Sequence, residues 1–178
     1  ILSDIREAYS GEIFWATHVN LESDPLPDFV DEFDGLYISV DSPIGHADET
    51  TFNTIQSGFT DVIDSQIYEA YRAHQLPITV AIAYPSVAAA SSGCALTGPS
   101  CYNDGVFRQE TIAEHVVDLE EQAVIYNAIL PILASREWIT GISIRGYEPT
   151  AMIQDGTSSI AGKPAFDVIQ YWFTNLKP

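Results

Sequence analysis

The stretch from Leu76 to Ser86, LPITVAIAYPS, constrains the fold more than any other part of this sequence. It is a short apolar run rich in β-branched residues, and it begins at Pro77 and ends at Pro85. Such a run is typical of a strand buried on both faces, as in parallel sheets covered by helices. Its carboxyl end opens into a long loop of Gly, Ser and Cys, and in an α/β barrel this end of a strand is where chemistry takes place.

Helix and strand patterns alternate along the rest of the chain. Apolar residues recur every three or four positions over 48–75 and 111–135, which predicts two long helices. We expect the first helix to bend near Gly58, and Pro131 to kink the second or to end its regular part. The other predicted elements are a helix over 3–9, a strand over 12–19, a helical turn over 28–32, strands over 35–41 and 138–145, and a helix from Pro164. This order predicts one α/β domain over 1–178 with parallel strands and right-handed crossovers.

Charge limits the partners of the chain. Its 178 residues are 46% hydrophobic, which is enough for a core, and 25 acidic against 7 basic residues give a net charge of −18. That field repels phosphate backbones and anionic membrane surfaces, so neither nucleic acid nor a membrane is expected as a partner. We see no signal peptide and no apolar run of membrane-spanning length. Because Ile1 falls at the edge of a predicted helix, we expect a fragment or a processed product.

Two cysteines, Cys94 and Cys101, lie in one loop rich in Gly, Ser and Pro. The pair lacks the neighbouring Cys or His residues of a zinc site, so a disulfide is the preferred interpretation. A bond that closes so short a loop would contribute roughly 2.5 kcal/mol in the chain-entropy model. An oxidising, extracellular or cell-surface location follows from such a bond.

Four short motifs resemble the C-terminal half of TIM-barrel glycoside hydrolases, in particular endo-mannanase-like members of the large retaining clan. The motifs are YSG at 9–11, FDGLYISVD at 33–41, QAVIY at 122–126 and GKPA at 162–165. The resemblance implies that the four strands correspond to barrel strands five to eight, a (β/α)4 half of a TIM barrel. Strands one to four, with the acid/base Glu of the family, would then be missing.

The resemblance also implies that the nucleophile is lost. The family has its nucleophile in a Thr-Glu-x-Gly-Tyr motif, and the matching stretch here, 80–84, reads VAIAY with Ala81 in the Glu position. A methyl group can neither attack an anomeric carbon nor take up a proton. Retaining hydrolysis needs two carboxylates roughly 5 Å apart.

Two carboxylates are the remaining catalytic candidates. Asp41 ends the second predicted strand and matches the Asp of strand six in the family, where it would bind a sugar hydroxyl; a turn-capping Asp is the alternative. Glu148 leaves the last strand and is the only Glu near a strand end. If the chain hydrolyses anything unaided, Asp41 and Glu148 are the residues to test. By contrast, Glu120 and Glu121 lie beside the apolar stripe of a helix and are expected on a solvated face.

Four residues are candidates for binding substrate. His18 ends the first strand and serves either as a hydrogen-bonding or basic group or as an ordinary wall residue. Tyr84 matches the Tyr after the nucleophile of the family and serves either in aromatic packing or as a platform for a sugar. Arg145 and Tyr147 leave the last strand beside Glu148, and an ion pair of Arg145 with Glu148 or Asp41 is the alternative for that residue.

Three functions remain open. The first is a secreted, catalytically degenerate barrel segment that still binds polysaccharide. The second is an assembly module that closes its barrel by self-association or with a missing N-terminal half, since exposed sheet edges recruit partners. The third is a fragment of an active glycosidase. The spacing of His46, His74 and His115 does not suit a metal, and neither a metal nor a cofactor is predicted.

Overall fold

The structure is a computed structural model that describes residues 2–21, 24–40, 43–44, 51–92, 116–149 and 156–175. Three residues with a predicted role, Asp41, Cys94 and Cys101, lie outside these ranges. The catalytic role of Asp41 and the disulfide between the two cysteines therefore stay predictions.

The described residues form one sheet of four parallel strands in the order β1-β2-β3-β4. The strands are β1 (Phe14–His18), β2 (Gly35–Val40), β3 (Ile78–Ile82) and β4 (Ile139–Ile144). The helices are α1 (Leu2–Ala8), α2 (Phe52–Val62), α3 (Tyr68–His74), α4 (Leu119–Ala134) and α5 (Pro164–Asn175). Each strand lies inside its predicted segment, so the predicted parallel α/β arrangement is confirmed. No helix within the described ranges is long and apolar enough to cross a membrane.

One face of the sheet forms the core with the helices. Alternate residues of β2 and β3 are completely buried and belong to one hydrophobic cluster with residues of α2, α4 and α5. The sheet contributes Leu36, Ile38, Val40, Ile78, Val80 and Ile82, and the helices contribute Ile55, Phe59, Ile125, Ile129 and Ile169. The apolar β-branched run that predicted β3 is thus at the centre of the core, as expected for a strand with neighbours on both sides.

The helix predicted over 48–75 is interrupted later than expected. α2 begins at Phe52 because Thr51 caps it in a reciprocal capping box with Thr54. The helix passes through Gly58 as regular α-helix, and a π-helical turn, Ile63–Ile67, separates it from α3. Ile63 and Ile67, at the two ends of the π turn, are both fully buried in the core.

The second long helix starts later than predicted. Its predicted start at Thr111 lies outside the described residues, and residues 116–118 are not helical. Val117 forms an antiparallel bridge with Val87, and the Asp118 carboxylate accepts the N–H of Glu121 at 2.9 Å as the N-cap of α4. The helix prediction is therefore wrong for 116–118. Pro131 does not end α4, which continues to Ala134.

The connection from β1 to β2 includes a short 3-10 helix, Asp28–Glu32, where the sequence predicted a helical turn. The Trp15 ring packs edge-on against Phe29 and Phe33, with centroids 5.4 Å apart in both pairs. The Arg6 guanidinium lies 2.7 Å from the Asp34 carboxylate and holds the pKa of Asp34 below its ordinary value by donating a hydrogen bond to it. These contacts hold α1 and the connection to the start of the sheet.

Candidate functional site

The face of the sheet opposite the helices presents small and hydroxyl-bearing side chains. Side chains alternate between the two faces of a strand, and one set already packs against the helices. We call the other side the hydroxyl face; its residues on β2, β3 and β4 include Tyr37, Ser39, Thr79, Ala81, Gly141 and Ser143. Its last row toward the carboxyl ends of the strands joins His18 to Ser39, Ser39 to Ala81 and Ala81 to Ser143. This row contains no carboxylate.

A hydrogen bond spans the hydroxyl face. Tyr37 Oη donates to Ser143 Oγ at 3.2 Å, and because β3 lies between β2 and β4, the bond passes across β3. Ala81 is fully buried, and Ser39 is 4% exposed. Hydroxyl groups both donate and accept hydrogen bonds. Of the four residues in the row, His18 is exposed and Ser143 is partly exposed, so these two are the ones that a ligand can reach.

Of the two predicted catalytic carboxylates, only Glu148 belongs to the described residues. It follows β4 and is exposed. Its N–H donates to Ser159 Oγ at 3.1 Å, and that hydroxyl donates to the Glu148 carbonyl at 3.4 Å. These two bonds fix the backbone of Glu148. Its pairing with Asp41 stays a prediction.

The four predicted binding residues differ in exposure. His18 is exposed at the end of β1, and Tyr147 is 59% exposed after β4, with its ring 6.4 Å from that of Phe166. Arg145 is half-buried, and its main-chain N–H donates to the Ile82 carbonyl at 3.0 Å. Tyr84 is completely buried and belongs to the core cluster, which favours its packing alternative. His18 and Tyr147 are thus the two of the four that are most open to a ligand.

Side chains of α4 fix the start of the loop after β3. The N–H of Tyr84 donates to Tyr126 Oη at 3.3 Å, and Gln122 Nε2 donates to the carbonyl of Tyr84 at 2.8 Å. Gln122 and Tyr126 are both fully buried, and burial raises the pKa of Tyr126 to about 12. Both main-chain polar groups of Tyr84 are therefore bonded to α4.

A second α4 side chain corrects an expectation from the sequence. Glu120 is exposed as predicted, but Glu121 is half-buried. Its carboxylate accepts the N–H of Ala89 at 2.6 Å, and the N–H and Oγ of Ser91, both at 3.1 Å. Ala89 has a φ of 59°, and this left-handed turn brings the two N–H groups to one carboxylate. Burial raises the pKa of Glu121, and these three hydrogen bonds partly offset that effect.

A buried lysine joins the loop after β3 to the loop after β4. Lys163 is 2% exposed, and Ser86 is completely buried. The Lys163 ammonium donates to Ser86 Oγ at 2.9 Å and to the Thr157 carbonyl at 3.0 Å. The Ser86 main chain is also bonded on both sides, because its N–H donates to the carbonyls of Gly156 and Thr157, and its carbonyl accepts the N–H of Asp118.

Sequence reasoning did not assign a role to Gln122, Glu121, Ser86 or Lys163. Gln122 and Lys163 belong to two of the motifs that resemble glycoside hydrolases, QAVIY and GKPA, and were used only as marks of resemblance. A signal was available for Lys163, since it is one of only two lysines in an acidic chain and directly precedes the proline that starts α5. Nothing in the sequence pattern predicted that Glu121 would accept bonds from a loop 30 residues earlier.

Comparison with solved structures identifies the architecture. The chain is similar to a GH113 β-1,4-mannanase, with a TM-score of 0.70 and 19% sequence identity over 98% of this chain and 49% of that chain. It is also similar to a β-glucuronidase from Ruminococcus gnavus, with a TM-score of 0.56 and 12% identity over 95% of this chain and 27% of that chain. The sequence matches no family model and no curated protein.

The fold is therefore that of part of a TIM barrel, as the four motifs predicted. The chain spans about half the length of the mannanase. In such barrels the functional site lies at the carboxyl ends of the strands. We call this edge of the sheet the carboxyl rim. It comprises the last row of the hydroxyl face, Tyr147, and the loops after β3 and β4.

Proposed function

We propose that this chain is a non-hydrolytic, glycoside-hydrolase-like half-barrel that binds a neutral polysaccharide at its carboxyl rim. The observation that supports the proposal best is the row His18, Ser39, Ala81 and Ser143, which contains no carboxylate and whose accessible members, His18 and Ser143, are polar. A ligand made of hydroxyl groups meets suitable donors and acceptors there.

The charge of the chain favours a neutral ligand over an acidic one. At a net charge of −18, a polyuronide is repelled, whereas mannan, glucan and xylan backbones are not. The exposed Tyr147 ring supplies an apolar face with a polar tip, which is the kind of group that stacks against a sugar ring. An extracellular location is part of the proposal, and the spacing of Cys94 and Cys101 supports it.

The proposal predicts binding without turnover. We expect the chain to be retarded in native gels that contain mannan, and not in gels that contain polygalacturonate, while it releases no reducing sugar from mannan, glucan or xylan. Tyr147→Ala should weaken retention about tenfold, which corresponds to roughly 1.4 kcal/mol. Tyr171→Ala is the matched control, since Tyr171 is 62% exposed on α5, and it should leave retention unchanged.

Two results would contradict this function. If no neutral polysaccharide retards the chain, the binding proposal fails. If the chain releases sugar and Glu148→Gln abolishes the release, the chain is a fragment of an active glycosidase with Glu148 as one of its carboxylates, and the non-hydrolytic proposal fails.

Exposed apolar side chains next to the two edge strands of the sheet, β1 and β4, favour assembly as a second function. β1 pairs with β2 alone and β4 with β3 alone among the described strands. α1, which precedes β1, has no buried residue, and its Ile5 is 44% exposed. α5, which follows β4, exposes Phe166, Tyr171 and Phe173 by 37%, 62% and 44%. These surfaces suit contact with another (β/α)4 half that closes the barrel. Self-association of this chain is the form of assembly that can be tested directly.

Assembly of this kind predicts self-association that depends on salt. Two copies repel each other through their charge of −18, so raising the salt concentration should strengthen association in sedimentation velocity. Ile5→Asp should weaken it, whereas Phe52→Asp, at a 39% exposed position at the start of α2, should not. A compact monomer at every concentration and salt level would contradict the assembly function.

A further inference from the structure

Buried polar groups are concentrated beneath the carboxyl rim. The buried polar and charged residues among the described ranges are Ser39, Ser86, Ser91, Ser92, Gln122, Ser159 and Lys163. All except Ser39 lie in the loop after β3, at the start of α4, or in the loop that joins β4 to α5. Apart from Ser39, the rest of the core within the described ranges is apolar. The buried polar groups thus lie at the edge at which we propose that a ligand binds.

Lys163 is the charged member of this group. Its ammonium donates to a residue of each loop, to Ser86 Oγ at 2.9 Å and to the Thr157 carbonyl at 3.0 Å. The two loops also bond directly, since Ser86 N–H donates to the carbonyls of Gly156 and Thr157 at 3.2 Å. The ammonium is thus placed to set the distance between the loop after β3 and the loop after β4.

The energetics of burial argue against a role in stability alone. Taking an ammonium out of water is costly, and apolar replacements of buried ionic groups are often neutral or stabilising. Satisfied polar networks instead restrict the geometry of the groups they join. In this chain the joined groups are the two loops that border β3 and β4, where the row of Ala81 and Ser143 ends.

We propose that Lys163 is a positioning residue of the carboxyl rim, which holds the loops after β3 and β4 in one arrangement through Ser86 and Thr157. The proposal rests on the proposed function, because the rim it shapes is the predicted binding edge. Lys163 is 2% exposed and does not contact the ligand. Its effect on binding is transmitted through the loops.

The test is amide hydrogen exchange of the full chain without saccharide. Lys163→Met keeps side-chain length and burial but removes the donors. We expect amides over 86–92 and 156–162 to exchange at least about tenfold faster, while amides of β2 and α4 keep their protection. Arg72→Met, which removes an exposed cation paired with Glu69, should change neither set.

A pair of variants separates positioning from general stability. Ser86→Ala removes one acceptor of the ammonium, together with the bond that Ser86 Oγ donates to the Thr157 carbonyl at 3.3 Å, and should loosen the same two loops. The combined effect in the double variant should be smaller than the sum of the two single effects, because Lys163→Met already removes the bond of the ammonium to Ser86. Equal acceleration in the loops and in β2, or additive effects of the two changes, would overturn the proposal. If Lys163→Met does not fold, Ser86→Ala alone still decides between local and uniform acceleration. Loosened loops in a chain that binds no mannan would reject the proposed function and retain the positioning role.

Discussion

Gly58→Ala is expected to destabilise this chain strongly, although the same change in an ordinary helix is stabilising. A Cβ built on Gly58 overlaps the carbonyl oxygen of Ile44, a main-chain atom that cannot rotate away. Ile44 is itself 4% exposed, and its N–H donates to the Ser91 carbonyl at 2.7 Å. Either α2 or the Ile44 segment must therefore shift. We expect a loss of about 3 kcal/mol or more in the free energy of unfolding, at the upper end of overpacking effects.

The matched control is Ser57→Ala, one residue earlier on the exposed side of α2. Helix propensity alone predicts that this variant gains roughly 0.5 kcal/mol, and that Gly58→Ala would gain about 1 kcal/mol if nothing lay close to it. Urea denaturation of the three proteins measures the difference. An increase in the unfolding midpoint of Gly58→Ala would show that Ile44 does not approach the helix.

The same glycine shows what a single sequence can and cannot reveal about this fold. Gly58 was expected to mark a bend because glycine weakens a helix, but its use here is to admit a neighbouring main chain. A close approach by a residue 14 positions away leaves no mark in local periodicity. The predicted strand segments, by contrast, were correct. A strand such as Ile78–Ile82 is marked in the local sequence by an apolar, β-branched run between Pro or Gly residues, and burial of that run in the sheet favours the same structure.

The predicted start of α4 was wrong for a related reason. Apolar residues at 112, 116 and 119 have the same helical spacing as those after Leu119, so the sequence predicted one helix through all of them. Asp118 is a strong N-cap, and Val117 pairs with Val87 from the loop after β3. Local propensity would allow Val117 to be helical, but Val117 pairs with Val87 instead. The start of α4 is therefore determined by a tertiary contact as well as by its N-cap.

The candidate site was predicted in part for similar reasons. Position 81 was identified through a strand motif, and the register places Ala81 in the last row of the hydroxyl face. Residues that act through long-range bonds were missed: Gln122 reaches Tyr84 over 38 positions, and Lys163 reaches Ser86 over 77. Their motifs carried the resemblance to glycoside hydrolases. In this structure Gln122 and Lys163 bond to the loop after β3, and neither belongs to the row that contains Ala81.

Tyr126→Phe is expected to lower stability at neutral pH and to remove an alkaline loss of stability. The change leaves the buried N–H of Tyr84 without its acceptor, which costs about 1–3 kcal/mol. Burial raises the pKa of Tyr126 to about 12, from 10.0 in the unfolded chain. A phenol whose pKa is raised on folding contributes its full stability below pH 10.0, and that contribution disappears as the pH rises toward 12.

The unfolding free energy of the parent should therefore fall by up to about 3 kcal/mol more than that of Tyr126→Phe between pH 10 and pH 12. Urea denaturation at pH 8, 10, 11 and 12 measures both effects, and all other titrating groups are common to the two proteins. Tyr68→Phe, at a 38% exposed position, should keep the alkaline decline and the neutral stability of the parent. Parallel declines in the parent and in Tyr126→Phe would mean that the Tyr126 hydroxyl is in contact with water, and the loop after β3 would then lack its anchor on α4.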